Sequence, residues 1–96
     1  MSTQHTPGPW GVRFDFVVQA KSFDSGRLVP VAQPYGVNSD GTDLFANARL
    51  IAAAPDLLEA LKMALEYWAD RQQRYKNRAP VWVRDARAAI ARAEGK

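Results

Sequence analysis

From Trp10 to Lys21 the chain alternates without interruption. Trp10, Val12, Phe14, Phe16, Val18 and Ala20 fall on one side, and Gly11, Arg13, Asp15, Val17, Gln19 and Lys21 on the other. A period of two, with aromatic and β-branched residues gathered on one side, predicts a half-buried β-strand across this stretch. Such a face must be covered, because an isolated hairpin is marginal in water. Asp24-Ser25-Gly26 reads as a turn, after which Arg27 to Gln33 returns as a second, antiparallel strand. Pro30 and Pro34 bring no N–H to a ladder, so this strand belongs at an edge. The proline-free first strand would keep an open edge if the sheet has only two strands. Pairing of copies through that edge is the expected route to a homo-oligomer, a dimer or higher. The turn-rich run Tyr35 to Gly41 leaves space for at most a short third strand.

Beyond Gly41 the period changes. Thr42 or Asp43 can cap a helix start, Leu44, Ala48 and Ile51 share a face, and the segment is rich in alanine. Pro55 predicts a break after Ala54, since the residue before a proline avoids the helical region. A new helix would open on Pro55, with Asp56 and Glu59 beside its positive end. Its core stripe would be Leu57, Leu61, Ala64, Leu65 and Trp68. The polar run from Asp70 to Arg78 is either the projecting end of that helix or a loop. Pro80 opens the last helix, with Trp82, Ala86, Ala89, Ile90 and Ala93 as its apolar face and Gly95 as its stop; Val81-Trp82-Val83 could instead be a short strand ahead of it. The expected fold is a single α+β domain. An extended arm (1–9) leads into a small antiparallel meander of two or three strands (10–41), packed against two longer helices and one short one (42–96).

Composition removes several classes of function. With 96 residues and no cysteine, the chain has no thiolate nucleophile, disulfide or cysteine-ligated zinc. A secreted domain this small usually needs disulfides. Met1-Ser2-Thr3-Gln4 lacks a basic or apolar leader, and no apolar run approaches membrane-spanning length. The expected compartment is the cytoplasm, away from membranes.

Two stretches, His5-Thr6-Pro7-Gly8-Pro9-Trp10 and Ala46-Asn47-Ala48-Arg49-Leu50-Ile51-Ala52-Ala53-Ala54-Pro55-Asp56-Leu57-Leu58-Glu59-Ala60-Leu61, together with Ala86-Arg87-Ala88-Ala89-Ile90-Ala91-Arg92-Ala93, resemble a family of short uncharacterised proteins of tailed phages and prophages. The resemblance implies a phage accessory protein made in a bacterial cytoplasm. It implies no catalytic residues, and Asp70 to Val83 matches no family pattern. Such accessory proteins often bind host machinery or defence components. A non-catalytic protein that masks a host protein or sequesters an anionic nucleotide signal is therefore the expected function. A small nucleic-acid-binding module is the alternative, and a structural role in the virion stays open.

No side-chain set suggests an enzyme or a cofactor. His5 is the sole histidine, has no nucleophile at usable spacing and reads as an arm-packing residue. Asn38, Asp40 and Asp43 crowd around Gly41, but a calcium loop requires a closing bidentate Glu that is absent here. They read as turn and cap residues, leaving no metal site. Asp56 and Glu59 read as helix-start carboxylates, and Trp10, Phe14 and Phe16 as core. The glycines form no phosphate-binding loop.

Charge is the remaining signal. Residues 1–70 hold 5 basic and 8 acidic groups, whereas 71–96 hold 8 basic and 2 acidic. If the second helix continues, Arg71, Arg74, Tyr75 and Arg78 share a face, with Lys76 close by and Arg84 and Arg87 on the last helix. Guanidinium forks bind phosphate in bidentate fashion, and aromatic faces stack on bases. Tyr75 and Trp82 would supply those faces. This cluster is the candidate site for an anionic ligand, against the plainer reading that it is a solvated basic surface.

Overall fold

A computed structural model describes residues 5–22, 24–75 and 79–95, with backbone only for 73–75. It is α+β, as expected: β1 (Gly11–Val12), β2 (Val18–Lys21), β3 (Leu28–Ala32), α1 (Leu44–Tyr75) and α2 (Val81–Ala93). The strands form one antiparallel sheet in the order β1-β2-β3. The chain divides into two compact units, one spanning His5–Asp56 and one containing Leu57–Lys96.

In the first unit the long predicted strand is broken in two. The Arg13 guanidinium grips the Asp15 carboxylate through Nε at 2.8 Å and Nη2 at 2.6 Å. The Phe16 N–H donates to the Arg13 carbonyl, the Arg13 N–H to the Val17 carbonyl, and Phe16 sits at φ 71°. These bonds fold 13–17 into a tight turn and pair Gly11 with Gln19. Local side-chain bonding has overridden the period-two pattern. One consequence is that Phe14, expected in the core, lies at the turn tip and is 93% exposed. Phe16 finds cover edge-on against Phe45 of α1, with centroids 5.5 Å apart. Its left-handed backbone is unusual for a bulky residue. The buried residues described here are Val17, Val18, Ala20 and Ala48, with Pro34 and Pro55. Because Val17 closes the turn and Val18 begins the strand, neighbouring residues both point inward.

The split also changes the edges. β2 is central, flanked by the two-residue β1 and by β3, whose Pro30 pairs with Gln19. The edge expected of the long first strand is reduced to the two-residue β1, while β2 is paired on both sides. The Asp24-Ser25-Gly26 turn forms as read. Gly26 adopts φ 70° and donates to the Ser22 carbonyl at 3.0 Å, a left-handed position that glycine fills without strain.

α1 begins where predicted, but Asp43 does more than cap it. Its carboxylate accepts the N–H groups of Val37 (2.8 Å) and Asn38 (3.2 Å), while the Asn47 amide donates to the Tyr35 carbonyl. Two side chains at the helix start thus hold loop 35–38. Hydrogen bonds from the Val37 N–H, foremost, hold the Asp43 carboxyl below its ordinary value. Replacing Asp43 with alanine should leave the sheet formed and free the loop, read as faster amide hydrogen exchange at Val37 and Asn38. Unchanged exchange would show the clamp to be idle.

Pro55 does not end the helix: α1 runs through it, so there are two helices rather than three. The cost of a proline here is one missing N–H bond to Ile51 and a crowded carbonyl. Against it stands the burial of the ring, packed so closely on the arm that a Cβ on Gly8 would lie 3.1 Å from the Pro55 Cβ. An unbroken helix keeps its phase. The covered positions therefore continue from Ala48, Ile51 and Pro55 to Leu58, Lys62 and Leu65, while Leu57 and Ala64, expected in the stripe, are exposed. Asp56 and Glu59 lie inside α1, not at its start.

In the second unit, Lys62 pairs with Glu94 at 2.5 Å and Arg87 rides over Trp68. Rising numbers on α1 meet falling numbers on α2, so the two run antiparallel. Pro80 caps α2 in extended conformation (φ −71°, ψ 163°). Gly95 closes it at φ 77° with its N–H on the Arg92 carbonyl. The buried face of α2 is Val83 and Ala86. Ala86, with the half-buried Ala89 and Ile90, keeps to the predicted stripe, whereas Val83 takes the place expected of Trp82, which is 45% exposed, and Ala93 is exposed.

Acid tests the β1–β2 turn. Foremost through its hydrogen bonds from Arg13, Asp15 is lowered from 3.8 to about 2. A carboxyl with a folded value below its unfolded one stabilises fully above the unfolded value. That contribution fades as pH falls from about 4 through about 2. The urea midpoint should drop over that window and drop less in Asp15→Asn. Equal acid sensitivity in both proteins would remove Asp15 from the account.

Candidate functional site

The predicted basic cluster divides on inspection. α1 extends as a helix to Tyr75, which settles the helix-or-loop alternative in favour of helix as far as that residue. Lys76 and Arg78 lie outside the described residues, as do the side chains of Arg74 and Tyr75. Arg71, Arg84 and Arg87 are described, and all three belong to the second unit.

Arg71 and Arg87 are backed by aromatic rings. Arg71 Nη1 donates to the Tyr67 hydroxyl at 3.1 Å, and its guanidinium sits 5.6 Å from the Tyr67 centroid. The Arg87 guanidinium is 5.7 Å from the Trp68 centroid. A ring face attracts the cation and restrains its plane, so the guanidinium has less rotamer freedom to lose on binding. Both arginines are exposed. Among the described residues, the ion pair of Arg84 is with its neighbour Asp85 at 3.6 Å, with both side chains largely in water, a pairing worth little. The Gln72 Oε1, one residue from Arg71, is buried with no hydrogen-bond partner among the described residues. An acceptor in that state is open to an added donor.

Of the aromatic partners expected, the Tyr75 side chain lies outside the described residues. Among the described residues the rings set against Arg71 and Arg87 are Tyr67 and Trp68, not Trp82. The i, i+4 spacing of Tyr67 and Arg71 was visible in the sequence. The pairing of Trp68 with Arg87 required knowing that α2 returns along α1.

Elsewhere, polar side chains serve the local backbone. Asp40 Oδ1 accepts the Thr42 N–H, which holds that carboxyl below its ordinary value, and Asp43 is committed to loop 35–38. His5 donates from Nδ1 to the Thr6 carbonyl and lies edge-on to Trp10. Among the described residues, no three His, Asp or Glu side chains gather as a metal site, and no helix is long and apolar enough to cross a membrane.

Together these features describe a small α+β protein with two exposed arginines on its C-terminal helices, each set over an aromatic ring. A phage protein family, that of Salmonella phage P22 protein Y8K6, matches the chain over residues 1–96. The chain belongs to that family, in keeping with the phage resemblance of its motifs. No curated protein and no solved structure matches it.

Proposed function

We propose that this is a non-catalytic accessory protein of a phage that acts by binding inside the host cell. Its ligand in this reading is a phosphate-bearing small molecule, of the kind that carries an anti-phage defence signal as an anionic nucleotide. The observation that carries the proposal is the pair of guanidinium groups, Arg71 and Arg87, each set over an aromatic ring of α1. Phosphate takes guanidinium forks in bidentate fashion, and Tyr67, also exposed, offers a face to a base. Family membership supplies the phage context.

Titration calorimetry against a panel of linear and cyclic nucleotides is the test. Stoichiometric heat without turnover supports sequestration. Absence of heat across the panel overturns it and leaves masking of a host protein. Binding to single- or double-stranded nucleic acid that collapses steeply with added salt would instead mark a nucleic-acid module, because counterion release drives that mode.

A further inference from the structure

The motif at the N-terminal arm has no part in the arginine face. The run His5-Thr6-Pro7-Gly8-Pro9-Trp10 is fixed from three directions. The Trp10 indole N–H donates to the Thr6 carbonyl at 3.0 Å. The His5 ring meets Trp10 edge-on at 6.3 Å. Gly8 presses on the buried Pro55 of α1 so closely that no side chain fits between them without displacement. The arm is thereby held as a wall before any ligand arrives, which lowers the ordering cost of binding.

Below that wall lies the outer face of the sheet. Gly11 pairs with Gln19 and Leu28 with Lys21; these side-chain positions share one face, opposite the buried Val18 and Ala20. Arm and sheet enclose a groove of about 350 Å³, within the range of small-molecule sites. Pro7, Pro9, Trp10 and Leu28 make it largely apolar. Its polar lining side chains are Gln19 and Lys21. Neither makes a side-chain hydrogen bond or ion pair with the described residues, and the Lys21 ammonium is the one charge on the lining. Gly11 contributes open space: a Cβ there would meet nothing within 4 Å.

We infer that this groove binds a small amphiphilic anion, with a flat apolar body against Trp10 and the prolines and a single carboxylate or sulfonate on Lys21. Charge complementarity fixes the sign, since among the described lining residues Lys21 is the one charged group in a largely apolar cleft. The Gln19 amide is placed to hydrogen-bond the same head group. This site lies wholly within the first unit and owes nothing to Arg71 or Arg87, so its failure would leave the function proposed above untouched.

Anilinonaphthalene sulfonate is a probe of this chemistry, and N-phenylnaphthylamine is its uncharged counterpart. The full chain should bind the sulfonate saturably, one per chain, and the neutral probe at least about tenfold more weakly. Lys21→Ala should weaken the sulfonate about tenfold and leave the neutral probe unchanged. Gly11→Val fills the groove where the backbone has room and should abolish saturable binding of both. Circular dichroism would verify that each variant folds, and Lys21→Ala carries the test if Gly11→Val does not. Sulfonate binding that is unsaturable, or that both folded variants retain at full affinity, would overturn the inference.

Discussion

Val83→Asp should unfold the C-terminal helix pair at 25 °C, read as loss of the corresponding helical signal in far-UV circular dichroism. Val83 is fully buried, and with Ala86 it forms the buried face of α2. An aspartate there loses the valine's packing and places a carboxylate where no partner awaits it, at a cost of several kcal/mol. A chain of this size holds roughly 5–10 kcal/mol in total, so the change consumes most of its margin. Val83→Ala grades the effect: two lost methyl groups plus the space they leave cost about 2 kcal/mol, or roughly 10 °C in Tm. Exposed Trp82 next door provides the control, since Trp82→Ser should move Tm far less. If Trp82→Ser and Val83→Ala were equally harmful, the assignment of the buried face would be wrong.

Arg71→Ala/Arg87→Ala should abolish most of the affinity for a phosphate-bearing ligand while leaving Tm within a few degrees. Both side chains are exposed, so each contact with phosphate is screened and worth about 1 kcal/mol. Removing two gives roughly a 30-fold loss at moderate salt. Lysine at both positions keeps the charge but not the planar fork, and should recover only part of the loss. Calorimetry on the nucleotide that binds the unaltered chain best is the measurement. Full affinity in the double alanine variant would place the ligand elsewhere.

What could be read from the sequence follows a physical line. The change from period two to period 3.6, the Gly26 turn, the edge position of β3, the opening of α2 at Pro80 and its stop at Gly95 all rest on backbone rules that act within a few residues. They were legible for that reason. Two features set by competition were not. The alternation from Trp10 to Lys21 cannot reveal that Arg13 and Asp15 grip each other hard enough to turn the chain. Pro55 carries a strong local instruction to break the helix, yet its ring is buried against Gly8, a residue distant in sequence. Beyond it on α1, Leu57 and Ala64 turn outward, while Leu61, Leu65 and Trp68 keep the covered side expected of them. The candidate site repeats this pattern. Its arginines were visible as charge, and Tyr67 as a neighbour one helical turn from Arg71, but the placing of Arg87 over Trp68 depends on how two helices meet.

The sheet's borders have a consequence for what kind of partner the protein can recruit. Many small domains capture extended peptides by offering a long bare strand to which a guest adds as one more. Here one outer strand is two residues long and the other is interrupted by Pro30, so neither offers a continuous row of backbone donors. Recognition must therefore pass through side chains, by shape and charge. That favours compact ligands and folded surfaces over threaded chain, and it leaves no long bare strand on which a second copy could stack.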